Sequence, residues 1–177
     1  MKNPSNLTRK AVHLDRALFR AVFGVKWEPL DTVMRWLTLA GTAGALWGAV
    51  AFAAFFFTGF EVWNLALPWA AIAASWLVAE GSKYLFNRGR PFVWDTQIAP
   101  LIKTPSSSSF PSGHSATAAA GAISLAFLYP AFALPLMLAG FLVVLSRVYL
   151  GVHYPFDVFA GMVIGTVAAA VGILVFP

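Results

Sequence analysis

No cysteine occurs in the chain, which excludes a disulfide framework and a thiolate metal site. Acidic side chains are scarce, seven Asp and Glu against twelve Lys and Arg. Charge of either sign is scarce too. Only 11% of the 177 residues are charged and 59% are hydrophobic, against about 25% charged in an ordinary soluble domain. So few polar groups cannot cover so many apolar ones in water, and the composition points to an integral membrane protein. No internal repeat is visible. Nor is a secretory signal expected, because the apolar stretch 17–25 is broken by Arg20 and no small-residue cleavage site follows it.

What charge there is lies unevenly. Seven of the basic residues fall in the first 35 positions (Lys2, Arg9, Lys10, Arg16, Arg20, Lys26 and Arg35). They flank lipid-length segments, so anionic headgroups or phosphate substrates are the expected partners rather than nucleic acid. Leu14, Leu18, Ala21 or Val22, and Val25 recur at helical spacing, with His13, Arg16 and Arg20 elsewhere on the wheel. That pattern predicts an amphipathic helix in the headgroup region, and Asp15, Arg16 and Arg20 keep it from being a crossing. Uncharged runs follow. One crossing is expected over 36–60, a return over 62–79 with its helix continuing through Lys83 towards Asn87, a hairpin of two near 115–129 and 134–149, and a last span ending the chain. The expected fold is therefore an all-α helical bundle of about five transmembrane helices plus an N-terminal amphipathic interfacial helix. Its two parts are a surface segment, 1–32, and a membrane-embedded domain, 33–177. In this topology every Lys and Arg lies on one side, which the positive-inside rule makes cytoplasmic.

Three polar islands interrupt the apolar chain on that side: Lys83–Pro91, Ser106–His114 and Ser146–Asp157. Ser112-Gly113-His114 follows a proline and suits a capped helix start, whose free N–H groups form an anion site; taken alone it is no more than a capped helix with an incidental histidine. His153 and Asp157 are four apart around Pro155, a residue favoured at a first helical position. The carboxylate can then accept a hydrogen bond from one imidazole nitrogen and fix the tautomer. Two histidines and an aspartate could bind zinc, but the surrounding Lys and Arg repel a cation, so no metal or other cofactor is expected. Lys83, Arg90 and Arg147 suit phosphate oxygens. Arg88 and Lys103 receive no role, and Glu80 either pairs with Lys83 or lies at the interface.

In order and spacing the islands read K-x6-RP, PSGH and SR-x5-H-x3-D: Lys83 to Arg90-Pro91, Pro111 to His114, and Ser146-Arg147 to His153 and Asp157. With every signature position present, the chain resembles the type-2 phosphatidic acid phosphatase superfamily, which also includes glucose-6-phosphatase and the vanadium haloperoxidases. The resemblance covers about residues 31–175, one crossing short of the six-span core of longer members. It implies metal-independent phosphate hydrolysis through a phosphohistidine. On that resemblance His153 is the nucleophile, Asp157 orients it and His114 protonates the leaving oxygen. Lys83, Arg90, Arg147, Ser112 and the Gly113 N–H hold the phosphoryl oxygens. The implied protein is a multi-pass lipid phosphatase of a bacterial inner membrane, acting first on undecaprenyl diphosphate, with phosphatidylglycerol phosphate or phosphatidic acid as alternatives. The charge count runs against the first of these, which needs an outward-facing site. A non-enzymatic transporter or scaffold that merely holds a lipid phosphate is the reading of another class. A vanadate-dependent oxidant is weaker, since those relatives are soluble.

Overall fold

The computed structural model describes residues 6–175, and within them all regular structure is helical. Lys2, counted above, and both chain ends assigned to the two expected parts lie outside the described residues. The helices are α1 (Asn6–Phe23), α2 (Glu28–Ala40), α3 (Ala45–Phe57), α4 (Val62–Ser82), the short α5 (Pro91–Trp94), α6 (Gly113–Leu128), α7 (Ala133–Tyr149) and α8 (Pro155–Val175).

The centre of the bundle is α6, which packs on α8, α7 and α4. Its sequence is mostly Ala, Gly, Ser and Thr, and small residues let helix backbones approach closely. A Cβ placed on Gly161 of α8 would stand 2.4 Å from the Ser112 carbonyl, and one on Gly165 2.2 Å from that of Ala116. On the other flank, Trp47 of α3 fills the space over Gly121, where an added Cβ would meet the indole at 2.4 Å. Outward-facing residues such as Phe52, Phe56, Trp69, Phe141, Phe159 and Leu174 are large, apolar and exposed, as a lipid-facing surface requires.

Among the described residues three helices are long and apolar enough to cross a bilayer: α4, α7 with the turn before it, and α8. The α2–α3 pair makes a fourth if counted as one span, bent by 50°. Five crossings are reached only by adding α6, whose 16 residues reach about 24 Å at roughly 1.5 Å each. This is a multi-pass membrane protein. The unbroken span expected over 36–60 is absent. Glu28, Pro29 and Asp31 start α2 earlier, as acidic residues and proline favour a first turn. The chain then breaks at Gly41–Gly44, where Ala43 (φ 50°) and Gly44 (φ 79°) take left-handed backbone. Glycine adopts that conformation without steric cost, and at Gly44 a Cβ would also strike Ile72 at 2.5 Å. Nor does α4 run towards Asn87. It ends at Ser82, where Lys83 N donates to the Glu80 carbonyl at 3.2 Å and Phe86 N to that of Lys83 at 3.3 Å, a series of tight turns.

A helix forms there, Asn6–Phe23, but of the expected stripe Val22 alone packs against the core. Leu7, Leu14, Leu18 and Val25 stay exposed, while Asp15 and Phe19 are buried against the bundle.

Candidate functional site

Four helix ends meet at one end of the bundle: the C-termini of α4 and α7 and the N-termini of α6 and α8. Lys83 and Arg147 lie where helix dipoles favour cations, at the ends of α4 and α7. Between these ends is a cleft of about 280 Å³ lined by Glu80, Lys83, Arg90, Gly113, His114, Arg147 and His153, with Thr42, Ala43, Trp76, Pro105 and Ser107 at its edges. Two residues of the first island, three of the second and two of the third thus line one cleft, both histidines among them. Among the described residues no group of three or more His, Asp or Glu is placed to hold a metal ion.

His153 sits in the turn between α7 and α8, held by its N–H and that of Val152 on the Arg147 carbonyl, both at 3.3 Å. Gly151 takes a positive φ of 81° there. Arg90 is fastened on several sides: Nε donates to the Ser107 carbonyl at 2.9 Å, Nη1 to that of Val152 at 2.9 Å, and Nη2 to that of Ser108 at 3.3 Å. Its Nη1 also stands 3.2 Å from His153 Nε2. An Arg nitrogen can only donate, so a hydrogen bond here makes Nε2 the unprotonated nitrogen, with its lone pair towards Arg90 on the cleft wall. Burial holds the His153 pKa well below the usual imidazole value, reinforced by Arg147, Arg90 and Lys83. The ring is therefore held neutral at physiological pH.

Arg147 is buried, donates through Nη1 to Thr38 Oγ1, and leaves its Nε without a partner among the described residues. A buried guanidinium with unspent hydrogen-bonding capacity beside a cleft fits an anion. Glu80 pairs with Lys83 at 2.6 Å, settling the two options open for it. Its Oε1 also lies over Gly113, 2.6 Å from where a Cβ would be. His114 Nε2 lies 3.5 Å from Thr42 Oγ1, so the break between α2 and α3 brings a hydroxyl to the cleft.

Two expected residues lie behind the cleft rather than in its lining. Ser112 is fully buried; its hydroxyl accepts from Ser115 N at 3.4 Å and Ser115 Oγ at 2.9 Å, and its N–H donates to the Asp157 carbonyl at 3.0 Å. It caps α6 and ties that helix to α8. Asp157 is also fully buried, with Oδ2 3.7 Å from His153 Nδ1. That is ion-pair range but longer than a hydrogen bond, and Nδ1 has no partner among the described residues. Instead Asp157 accepts from Tyr154 N at 2.9 Å and from Arg88 Nη1 at 2.6 Å.

Arg88 was without a role on sequence. Its other arm, Nη2, pairs with Asp15 of α1. Burial opposes its charge, yet Asp157 and Asp15 together outweigh that and raise its pKa. The serine run was likewise unassigned. Ser108 Oγ donates to the Phe86 carbonyl and accepts from Arg88 N, and Ser109 N donates to the Arg88 carbonyl at 3.0 Å. These serines bind the arginine-bearing segment in place. No local periodicity marks that role, since the pairs are about 20 residues apart.

The fold and cleft define a multi-pass membrane protein with a cationic, histidine-lined cleft at one end of its helices. The chain belongs to the PAP2 superfamily, whose sequence model matches residues 63–177, so the resemblance drawn from the three islands is borne out. It is 37% identical over 91 residues to an undecaprenyl-diphosphatase of Sulfolobus acidocaldarius, an alignment covering 51% of this chain and 44% of that one. A lipid A 1-phosphatase of Rhizobium johnstonii is 27% identical over 191 residues, covering 96% of this chain and 78% of the relative. Among solved structures, a transmembrane PAP2-type phosphatidylglycerolphosphate phosphatase from Bacillus subtilis superposes with a TM-score of 0.78 at 27% identity, over 97% of this chain and 87% of that one.

Proposed function

We propose that this protein is an integral membrane lipid phosphatase working through a phosphohistidine at His153. The observation that carries the reading is the approach of Arg90 Nη1 to His153 Nε2, which sets an unprotonated imidazole nitrogen against three cations. His153 Nε2 attacks phosphorus, the bond to the leaving oxygen breaks, and His114 donates the proton that oxygen needs. Water then attacks the phosphohistidine with His114 as base, releasing orthophosphate and regenerating His153. Lys83, Arg90, Arg147 and the Gly113 N–H neutralise the equatorial oxygens, the main requirement of phosphoryl transfer. Ser112 contributes from behind, fixing the helix end that presents Gly113.

Undecaprenyl diphosphate is the favoured substrate. From His114 and Arg147 a second groove of about 470 Å³ continues past Thr38, Leu39, Leu101 and Ile102, with Arg35 and Lys103 on its walls. A diphosphate places its second phosphate beyond the scissile bond, where those cations lie, and the apolar residues suit a prenyl chain. Phosphatidylglycerol phosphate is the second reading, supported by the likeness to a solved phosphatase of that lipid over nearly the whole chain. A bacterial inner membrane is the location proposed with either substrate.

The test is orthophosphate release by the purified protein from undecaprenyl diphosphate, phosphatidylglycerol phosphate and phosphatidic acid, with EDTA present. Fastest turnover of the diphosphate is expected, and His153→Ala should lower release by at least about 10³-fold. Release from none of the three, or a fully active His153→Ala, sinks the phosphatase reading in favour of a scaffold or transporter. Loss with EDTA and recovery with zinc sinks the phosphohistidine. Because the chain has no cysteine, thiol labelling of Lys103→Cys in intact cells reports the orientation. Labelling only after permeabilisation rules out the carrier lipid on the outer leaflet.

A further inference from the structure

We infer that Asp15, on the N-terminal helix, is a positioning residue for the reaction: through Arg88 it fixes Asp157, and with it the ring of His153. The inference rests on the phosphohistidine reading above.

Asp15 is fully buried, although Arg9, Lys10 and Arg20 of the same helix are exposed and Arg16 is half-buried. Burying a carboxylate is expensive unless it is paired and hydrogen-bonded. Here both oxygens are used. Oδ1 accepts from Phe156 N at 2.9 Å, and Oδ2 takes Arg88 Nη2. Phe156 lies in the first turn of α8, whose N–H groups lack partners within the helix. Asp15 therefore caps, from another element, the helix that carries Asp157. The same guanidinium then reaches Asp157 Oδ1 at 2.6 Å through its other arm.

The geometry of Asp157 depends on that division. With Arg88 on Oδ1, Oδ2 is left to Tyr154 N at 2.9 Å and to His153 Nδ1 at 3.7 Å. A guanidinium freed from Asp15 could turn its fork onto both oxygens of Asp157, which would draw Oδ2 away from the ring. Asp15 holds one arm of the fork and so prevents this. His153 keeps a proton on Nδ1, facing a carboxylate, and a lone pair on Nε2, facing the cleft.

Helix α1 does not need Asp15 to stay docked. Phe19 is buried and meets Tyr154 edge-on at 5.5 Å, Arg16 lies 3.6 Å over Trp94, and Arg20 approaches Asp95 at 4.0 Å. The structural and positioning roles are therefore separable by substitution.

The experiment compares Asp15→Asn, Arg88→Gln, the double variant and Phe19→Ala in the full-length protein in detergent. The first readout needs no substrate: ¹⁵N spectra of protein labelled at its three histidines, assigned with His114→Ala and His13→Ala. In the parent, His153 should show the Nδ1–H tautomer alone. Asp15→Asn and Arg88→Gln should each give a mixture with the Nε2–H form, while Phe19→Ala should lower the melting temperature and leave the tautomer unchanged. The second readout is turnover of undecaprenyl diphosphate. Asp15→Asn should lower kcat by about 10–100-fold, with KM within threefold, as loss of an orienting partner does. The double variant should be no worse than Arg88→Gln alone, because Asp15 acts through Arg88. An unchanged tautomer in Asp15→Asn overturns the inference, as do losses that add in the double variant. Should Asp15→Asn not fold, Arg88→Lys, which keeps the charge but cannot bridge both carboxylates, decides by the same spectra. A parent with no phosphatase activity defeats the functional reading, whereas the imidazole spectra judge the positioning by themselves.

Discussion

The two sides of the His153 ring have opposite electrostatic character. In front, in the cleft, three cations (Lys83, Arg90 and Arg147) face one carboxylate, Glu80. Behind, two buried carboxylates, Asp15 and Asp157, share one cation, Arg88. Arg88 and Arg90 are only two residues apart, yet one serves each side. An imidazole between such environments is polarised: the proton is favoured where the carboxylates lie and the lone pair where the cations lie. On the proposed reading the front gathers the phosphate and the rear prepares the nucleophile.

The comparison can be broken hardest from the rear. Asp157→Asn should cut phosphate release by about 10²–10⁴-fold, by analogy with loss of the orienting carboxylate in a Ser-His-Asp triad, without weakening the binding of orthovanadate as an anion probe. Arg147→Gln in the front should cost about 10²-fold in turnover, the order seen when one charge-stabilising donor is removed, and should weaken orthovanadate together with it. If either substitution gives the other's pattern, the division of labour is wrong.

A protonation measurement sharpens the contrast. The His153 pKa is lowered first by burial, then by Arg147, Arg90 and Lys83. The ring should thus show no titration by NMR between pH 8 and 6. In Arg90→Gln, loss of a facing positive charge stabilises the imidazolium, so the midpoint moves upward. A downward move would contradict the assignment. Away from both sides, Gly44→Ala should cost about 1–3 kcal/mol, from a left-handed residue and a clash with Ile72, read as a lower melting temperature. The smallest effect is expected for Glu80→Gln. Removing the one carboxylate of the cleft should tighten orthovanadate by about threefold to tenfold, since like charge disfavours an anion.

The front of the site was legible in the sequence because an Arg or His inside an apolar run is conspicuous whatever its partners. The rear was not. Arg88 reads as a flanking charge and Asp15 as evidence for a surface helix, and the two lie 73 residues apart. Nothing local distinguishes an aspartate that faces water from one that faces an arginine on another element. The helix order was legible from the length of the uncharged runs, whereas the break at Ala43 and Gly44 was not. Glycine spacing there suits close packing equally well, and both uses prove to hold: added Cβ atoms at Gly41, Gly44 and Gly48 would meet Val143, Ile72 and Trp69 within 2.7 Å.

The position of the cleft has a mechanical outcome. It opens where α4 and α7 end and α6 and α8 begin, not midway along the helices. On the proposed reading only a polar headgroup has to enter it, and the hydrocarbon attached to it can stay in the surrounding oil throughout turnover.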